Sequence, residues 1–213
     1  MMTTVERPEG VGLARTAPVV LASASPARAA LLRAAGIAIT IDAAAIDEAE
    51  VKASLRASRA APAAIAETLA ELKAQRVSRR HGGSLVIGAD QILECDGVLF
   101  DKPADAAAAR SQLLTLRGRS HRLISAVVLM RDGQRLWHHV DGADLKMRDF
   151  SPSFLDCYLD LAGPAALSSV GAYQLEGIGA QLFAAIDGDY FTILGLPLLP
   201  LLDILREHGV LPS

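Results

Sequence analysis

The chain has 213 residues, a net charge of −3 and a pI near 5.9; 51% of it is hydrophobic and its mean hydropathy is +0.30. That suffices for one large domain or two small lobes around a sizeable core, and the acidic balance argues against a general nucleic-acid binder. No apolar run approaches the roughly 18 residues of a membrane span, and Cys95 and Cys157 make neither a disulfide framework nor a thiolate zinc site, which suits a reducing cytoplasm.

Residues 1–17 carry Glu6, Arg7, Pro8, Glu9 and Gly10 without the apolar core of a signal peptide, and read as a loose tail ahead of a single domain over 18–213. That domain opens with a buried strand over 18–23, a serine-bearing turn and a helix over 26–35. Ser25 is a good N-cap, Pro26 suits the first helical position and Gly36 closes the helix. Arg28 is out of place there. A cation in the first helical turn opposes the macrodipole by about 0.3–1 kcal/mol. An anion at that spot would explain it, since free N–H groups, two serine hydroxyls and an arginine together make a phosphate cradle. The alternative is an ordinary capped helix with Arg28 in solvent.

A strand over 37–42, a polar stretch over 46–60 and a helix over 62–80, bounded by Pro62 and Gly82-Gly83, come next. Ser84 to Ala89 reads as a buried strand, and Asp96-Gly97 as a hairpin turn between 91–95 and 98–101. A helix over 104–116 ends near Gly118, and strands over 120–130 and 134–148 flank Asp132-Gly133. A helix over 152–162, strands over 181–186 and 190–194 around Asp187-Gly188, and a Leu-rich helix over 197–207 complete the chain. Strands and helices alternate and hairpins add antiparallel pairs, which gives an α/β fold with a mixed β-sheet flanked by helices.

Asp90 ends the apolar run Leu85-Val86-Ile87-Gly88-Ala89, and the carboxyl end of a buried strand is where α/β proteins place ligands. It is a candidate general base or metal ligand, or else an Asp that accepts turn N–H bonds. A three-residue loop Cys95-Asp96-Gly97 would set Asp90 opposite Lys102, with both side chains in one site; a two-residue turn would shift the register by one and part them. Asp47 and Glu48 follow the second strand and are further candidates for an oxygen-ligated Mg²⁺ or Mn²⁺. Lys73 alone reads as a solvated helix lysine. The basic turn Arg117-Gly118-Arg119-Ser120-His121 could hold a phosphate or simply cap a helix dipole. No P-loop, dinucleotide-binding glycine motif or nucleophile elbow occurs, so a phosphate chemistry here is not a P-loop one.

In order and spacing, Leu21 to Arg28, Ile46-Asp47-Glu48, Leu69 to Ala74, Ile87 to Asp90, Lys102-Pro103, Leu116 to His121, Gly171-Ala172-Tyr173 and Gly195-Leu196-Pro197 resemble the Maf family of nucleotide pyrophosphatases. The resemblance implies two lobes around a deep cleft, a fold shared with inosine-triphosphate pyrophosphatases, and a homodimer. It implies hydrolysis of a nucleoside triphosphate to a monophosphate and pyrophosphate with a divalent metal, Mg²⁺ or Mn²⁺. Asp90 would be the catalytic base and, with Glu48, hold the metal; Ser25, Arg28, Lys73 and Lys102 would surround the phosphates. One branch of the family acts on dTTP and UTP, another on 7-methyl-GTP. At the positions that differ between them this chain has Ala27, Gln91 and Glu176. Gln91 and Glu176 resemble the second branch, while Ala27 cannot stack on a methylated ring as its Trp could. Two other readings are a nucleotide-binding regulator of septum formation without significant turnover, and a hydrolase of other phosphorylated metabolites.

Overall fold

The computed structural model describes residues 17–212. The expected tail lies outside these residues except for Ala17, which packs partly buried against the core. Seven strands form one sheet: β1 (Val19–Leu21), β2 (Ile39–Ile41), β3 (Leu85–Cys95), β4 (Val98–Phe100), β5 (Ser120–Arg131), β6 (Gln134–Met147) and β7 (Phe183–Asp187). Their order is β2-β1-β3-β5-β6-β7, with β4 attached to β3. β1 runs parallel to both neighbours, and the other pairs are antiparallel. The mixed sheet expected from the alternation is therefore present.

Among the described residues seven α-helices accompany it: α1 (Pro26–Ala34), α2 (Glu48–Ala57), α3 (Pro62–Ser78), α4 (Ala106–Leu116), α5 (Pro152–Ala162), α6 (Tyr190–Ile193) and α7 (Leu198–Glu207). The strand period of two divides the apolar residues between layers. Val19 and Leu21 pack toward α1 and α7, while Val20 packs toward α3. A third cluster joins the far ends of β5 and β6 to α4 and α5.

Three expectations are corrected. The polar stretch 46–60 contains α2, capped by Asp47, whose side chain accepts from Glu50 N at 3.0 Å. It has no fully buried residue, so no apolar stripe announced it, although Asp-Glu at its head is a helix-start signal. Residues 190–193 form α6 rather than a strand; the Asp189 cap on Thr192 N outweighs the β propensity of Tyr-Phe-Thr-Ile. The β3–β4 turn is the two-residue Asp96-Gly97, both at positive φ, so Cys95 pairs with Val98. The register is thus one residue from the one that would set Asp90 opposite Lys102.

α3 crosses β3 at Gly88, where a Cβ would sit on the Ala70 carbonyl oxygen and 2.8 Å from Ala74. Only glycine lets the helix come this close, and α3 carries Lys73. Gly88→Ala should lower stability by roughly 1–3 kcal/mol through overpacking and reduce activity by moving Lys73. Urea unfolding checks the first effect, and a variant as stable as the parent would show that α3 yields without cost.

Candidate active site

β1 and β4 pair with the same edge of β3, over Leu85–Ile87 and Leu93–Cys95, because β5 occupies the other edge. Between them, at 88–92, that edge has no strand neighbour. A cavity of about 980 Å³ opens beside this gap, and Asp90 and Gln91 line it. Asp90 therefore lies within a long strand rather than at its end, but just past the carboxyl end of β1, where the sheet's parallel pairing stops.

Arg28 spans the gap. Its Nη1 donates to Ala89 O at 3.0 Å and Ser23 Oγ at 3.1 Å, and its Nε to Gly195 O at 2.7 Å. The guanidinium is buried rather than solvated, and this is why it tolerates the head of α1. Burial lowers its pKa; the charges of Asp90 and Glu48 oppose that shift. Ser25 caps α1 by accepting from Arg28 N at 3.4 Å. Ala27 lines the same cavity.

Lys73 is buried too, contrary to its reading as a solvated lysine. Its Nζ lies 2.6 Å from Asp90 Oδ1 and 2.8 Å from Glu48 Oε1. Partial burial works to raise Glu48, yet the charge and hydrogen bond of Lys73, with help from Lys52 and Arg28, hold it below the usual carboxylate range. Asp90 Oδ2 is buried without a hydrogen-bond partner. Among the described residues no group of three or more His, Cys, Asp or Glu is placed to hold a metal ion. Asp90 and Glu48 are joined through Lys73, while Asp47 is spent as a cap.

Lys102 reaches the cavity although the expected register fails. Pairing of β4 stops at Phe100, and the chain then leaves the sheet. Desolvation and then Arg28 lower the Lys102 ammonium below its ordinary value, Glu48 opposes this, Lys73 adds to it, and Asp90 opposes it. Four cation-bearing or polar positions expected around phosphates, Ser25, Arg28, Lys73 and Lys102, thus share one cavity with Asp90 and Glu48.

Gln91 and Glu176 line the same cavity. Gln91 points to the face opposite Asp90, and its Nε2 lies 3.1 Å from Ser125 Oγ and 2.9 Å from Ile193 O. Ser125 Oγ donates to Thr192 O at 2.8 Å, so it must accept from Gln91. The amide nitrogen is thereby committed to α6 and β5, which leaves Oε1 as the end able to accept from a ligand. Glu176 is exposed in a turn at the rim. The segment 168–176 is tied down by Gln174 Nε2 to Ser168 Oγ at 3.0 Å and by Tyr158 OH to Ala172 O at 3.0 Å.

Sequence reasoning missed part of the site. Tyr173 lines the cavity and meets His121 Nε2 at 2.7 Å. His121 lies in β5 on the same buried face as Leu123, a strand alternation that could have removed it from the basic turn. The rest of that turn goes elsewhere: Arg117 pairs with Asp149 and Arg119 with Asp96. Lys52, Arg56 and Asp101 also line the cavity. The signal for Lys52 and Arg56 was the i, i+4 spacing from Glu48 on a helix not foreseen, while nothing local marked Asp101.

Residues 18–208 match the family model described as Maf-like protein. A protein of Paramagnetospirillum magneticum named nucleoside triphosphate pyrophosphatase is 64% identical over 192 residues, which span 90% of this chain and 99% of its own. One of Brucella abortus named 7-methyl-GTP pyrophosphatase is 54% identical over 193 residues, 91% of this chain and 97% of its own. A solved HAM1 protein of Coxiella burnetii aligns with 63% of this chain and 74% of its own at 15% identity and a TM-score of 0.40, too distant a likeness to bear on the fold.

Burial pushes His121 down from 6.5 to about 4 and Tyr173 well up. The folded pKa of His121 is the lower one, so between these values the unfolded chain binds more protons and stability is lost as the pH is lowered. His121→Gln should remove that slope. Between pH 7 and 5 the variant should lose about 1–2 kcal/mol less stability than the parent, as one histidine shifted by this much predicts. Urea unfolding at both pH values measures it, and parallel losses in the two proteins would exclude His121 as the source.

Proposed function

The chain belongs to the Maf family, and from that premise we propose that it is a nucleoside triphosphate pyrophosphatase whose catalytic base is Asp90. The observation that carries this reading is the pairing of a carboxylate having a free buried oxygen with a cluster of cations in one cavity. A triphosphate is a tetra-anion, and its cleavage to monophosphate and pyrophosphate moves further charge onto the leaving group. Arg28, Lys73 and Lys102 supply fixed positive charge there. Lys73 holds Asp90 by Oδ1, which leaves Oδ2 to accept the proton of an attacking water. Ser25 and the head of α1 add donors for phosphate oxygens.

A divalent cation fits this donor set. Asp90 Oδ2 is an orphaned buried oxygen, and Glu48 stands on the other side of Lys73. Mg²⁺ is commonly held by one or two carboxylates with phosphates and waters completing its shell, so two carboxylates suffice. Bound there, it would neutralise phosphate charge and lower the pKa of a coordinated water.

Gln91 Oε1 and Glu176 offer acceptors to a purine edge, as adjacent guanine N–H donors require. The similarity to a 7-methyl-GTP pyrophosphatase supports that class, while Ala27 offers no ring for stacking. A binding protein without turnover is the less favoured reading, since it would not need Asp90 oriented by a buried ammonium.

Asp90→Asn should cut pyrophosphate release by about 10²–10⁴-fold, the usual worth of a general base, while nucleotide binding persists. Turnover close to the parent's would remove Asp90 from the reaction. Glu176→Gln should move relative activity from guanine-type toward uridine and thymidine triphosphates by about 1–3 kcal/mol, because an amide reads an N3–H between two carbonyls better than a carboxylate does. Competition assays with mixed triphosphates decide it, and an unchanged ranking would leave Glu176 a plain turn residue.

A further inference from the structure

Two more cations reach the cleft from α2. Glu48, Lys52 and Arg56 are spaced four apart and so share one helix face, and all three line the cavity. Lys52 Nζ lies 2.7 Å from Asp101 Oδ1, and Arg56 Nη2 lies 3.2 Å from Asp101 Oδ2. Asp101 immediately precedes Lys102. The Lys52 side chain is only 13% exposed, although α2 has no buried residue, so it is drawn into the cleft rather than spread in solvent.

Charge in this half of the cavity is unbalanced. Arg28, Lys52, Arg56, Lys73 and Lys102 face only Glu48, Asp90 and Asp101, in a chain whose net charge is −3. Lys73 and Arg28 are committed to β3 by buried bonds, whereas Lys52 and Arg56 share one carboxylate that is half exposed. Partial burial works to raise Asp101, but the hydrogen bond and charge of Lys52, followed by Arg56, keep it below its ordinary value. An ion pair this open to water is worth little, about 0–1 kcal/mol in similar cases. A pyrophosphate group carries more charge and more acceptor oxygens, and a guanidinium grips phosphate by two parallel bonds. The helix is held to the body by Glu48 on Lys73 and by partly buried Val51 and Leu55, none of which depends on Asp101.

We propose that Lys52 and Arg56 form a distal anion subsite for the pyrophosphate end of the triphosphate, and that Asp101 is a placeholder which the phosphates displace. This rests on the nucleotide reading of the cleft. It gives α2 a task that its lack of a core face leaves unexplained. It also makes the subsite selective for length, because a monophosphate seated at Asp90 leaves Lys52 and Arg56 on Asp101. The product pyrophosphate, by contrast, keeps contact with both cations after the bond to the nucleotide is broken.

The test compares Lys52→Gln/Arg56→Gln and Asp101→Asn with the parent. Inorganic pyrophosphate is titrated calorimetrically into each protein with Mg²⁺ present, and KM and kcat are measured for a nucleoside triphosphate. The double variant should bind pyrophosphate about ten-fold or more weakly, as loss of charge-assisted bonds predicts. Its KM should rise, while product inhibition by the monophosphate stays as in the parent. Asp101→Asn should tighten pyrophosphate, because it frees both cations. A mere structural tether would do the opposite: its loss would weaken pyrophosphate binding, and that result overturns the proposal. Unchanged pyrophosphate binding in the double variant overturns it as well. A parent protein that cleaves no nucleoside triphosphate would instead overturn the nucleotide reading, and this outcome is visible before any variant is made.

Discussion

The arrangement of the cleft depends on one buried ammonium. Lys73 has given up its hydration on α3, and only the carboxylates of Asp90 and Glu48 compensate it. Breaking such a group by removing one partner leaves an uncompensated buried charge, whose cost is several kcal/mol in similar cases. The same ammonium fixes two elements. It orients Asp90 on β3, and it draws the head of α2 over the cavity through Glu48. It can reach both only because α3 lies against the bare backbone of Gly88. A glycine in a strand, a lysine in a helix and a glutamate at a helix head are thus one device.

A second constraint comes from topology. β3 exchanges β1 for β4 along one edge, and five residues of that edge have no strand partner. Buried backbone carbonyls need donors. Arg28 supplies one to Ala89 and another to Gly195, so a side chain replaces a strand where a strand would close the cleft. This settles the oddity of a cation in the first turn of α1. The guanidinium bridges two loops and a strand, and it leaves positive charge beside Asp90. The positive charge of the cavity and the closure of the sheet edge therefore rest on the same residue.

How much of this the sequence disclosed depends on where each signal resides. The helix that starts at Pro26, the Asp96-Gly97 turn and the final Leu-rich helix were legible because caps, turns and apolar periodicity are local, whereas the strand expected to end at Asp90 runs on to Cys95. α2 was not, since it packs through ion pairs and partly buried residues and shows no stripe. α6 was misread because four residues of high β propensity are overruled by a single Asp cap. The Asp90–Lys102 relation was anticipated for a wrong reason. The two-residue turn parts their register, and the early end of β4 then returns Lys102 to the cavity. Lys73 is the sharpest case. Nothing in Leu69 to Ala74 distinguishes a buried lysine from a solvated one, because its partners lie seventeen residues ahead on another element and twenty-five residues behind on a third. Only the resemblance to a family set it apart.

The two halves of the cavity are built from different interactions, and this has a consequence for how substrate choice can change. One half is a network of charges on α1, α2, α3 and β3, in which members alter one another's electrostatics, as the joint influence of Arg28, Lys73, Glu48 and Asp90 on Lys102 shows. A substitution there disturbs the chemistry. The lining around Gln91 and Glu176 is held by neutral hydrogen bonds: Tyr158 to Ala172, Gln174 to Ser168, His121 to Tyr173 and Gln91 to α6. None of these bonds involves Lys73, Arg28 or Asp90. Exposed Glu176 sits on this neutral scaffold, so it can be exchanged without disturbing a buried charge. On the proposed reading, a site divided in this way would let the recognised base vary while Lys73, Arg28 and Asp90 keep their contacts.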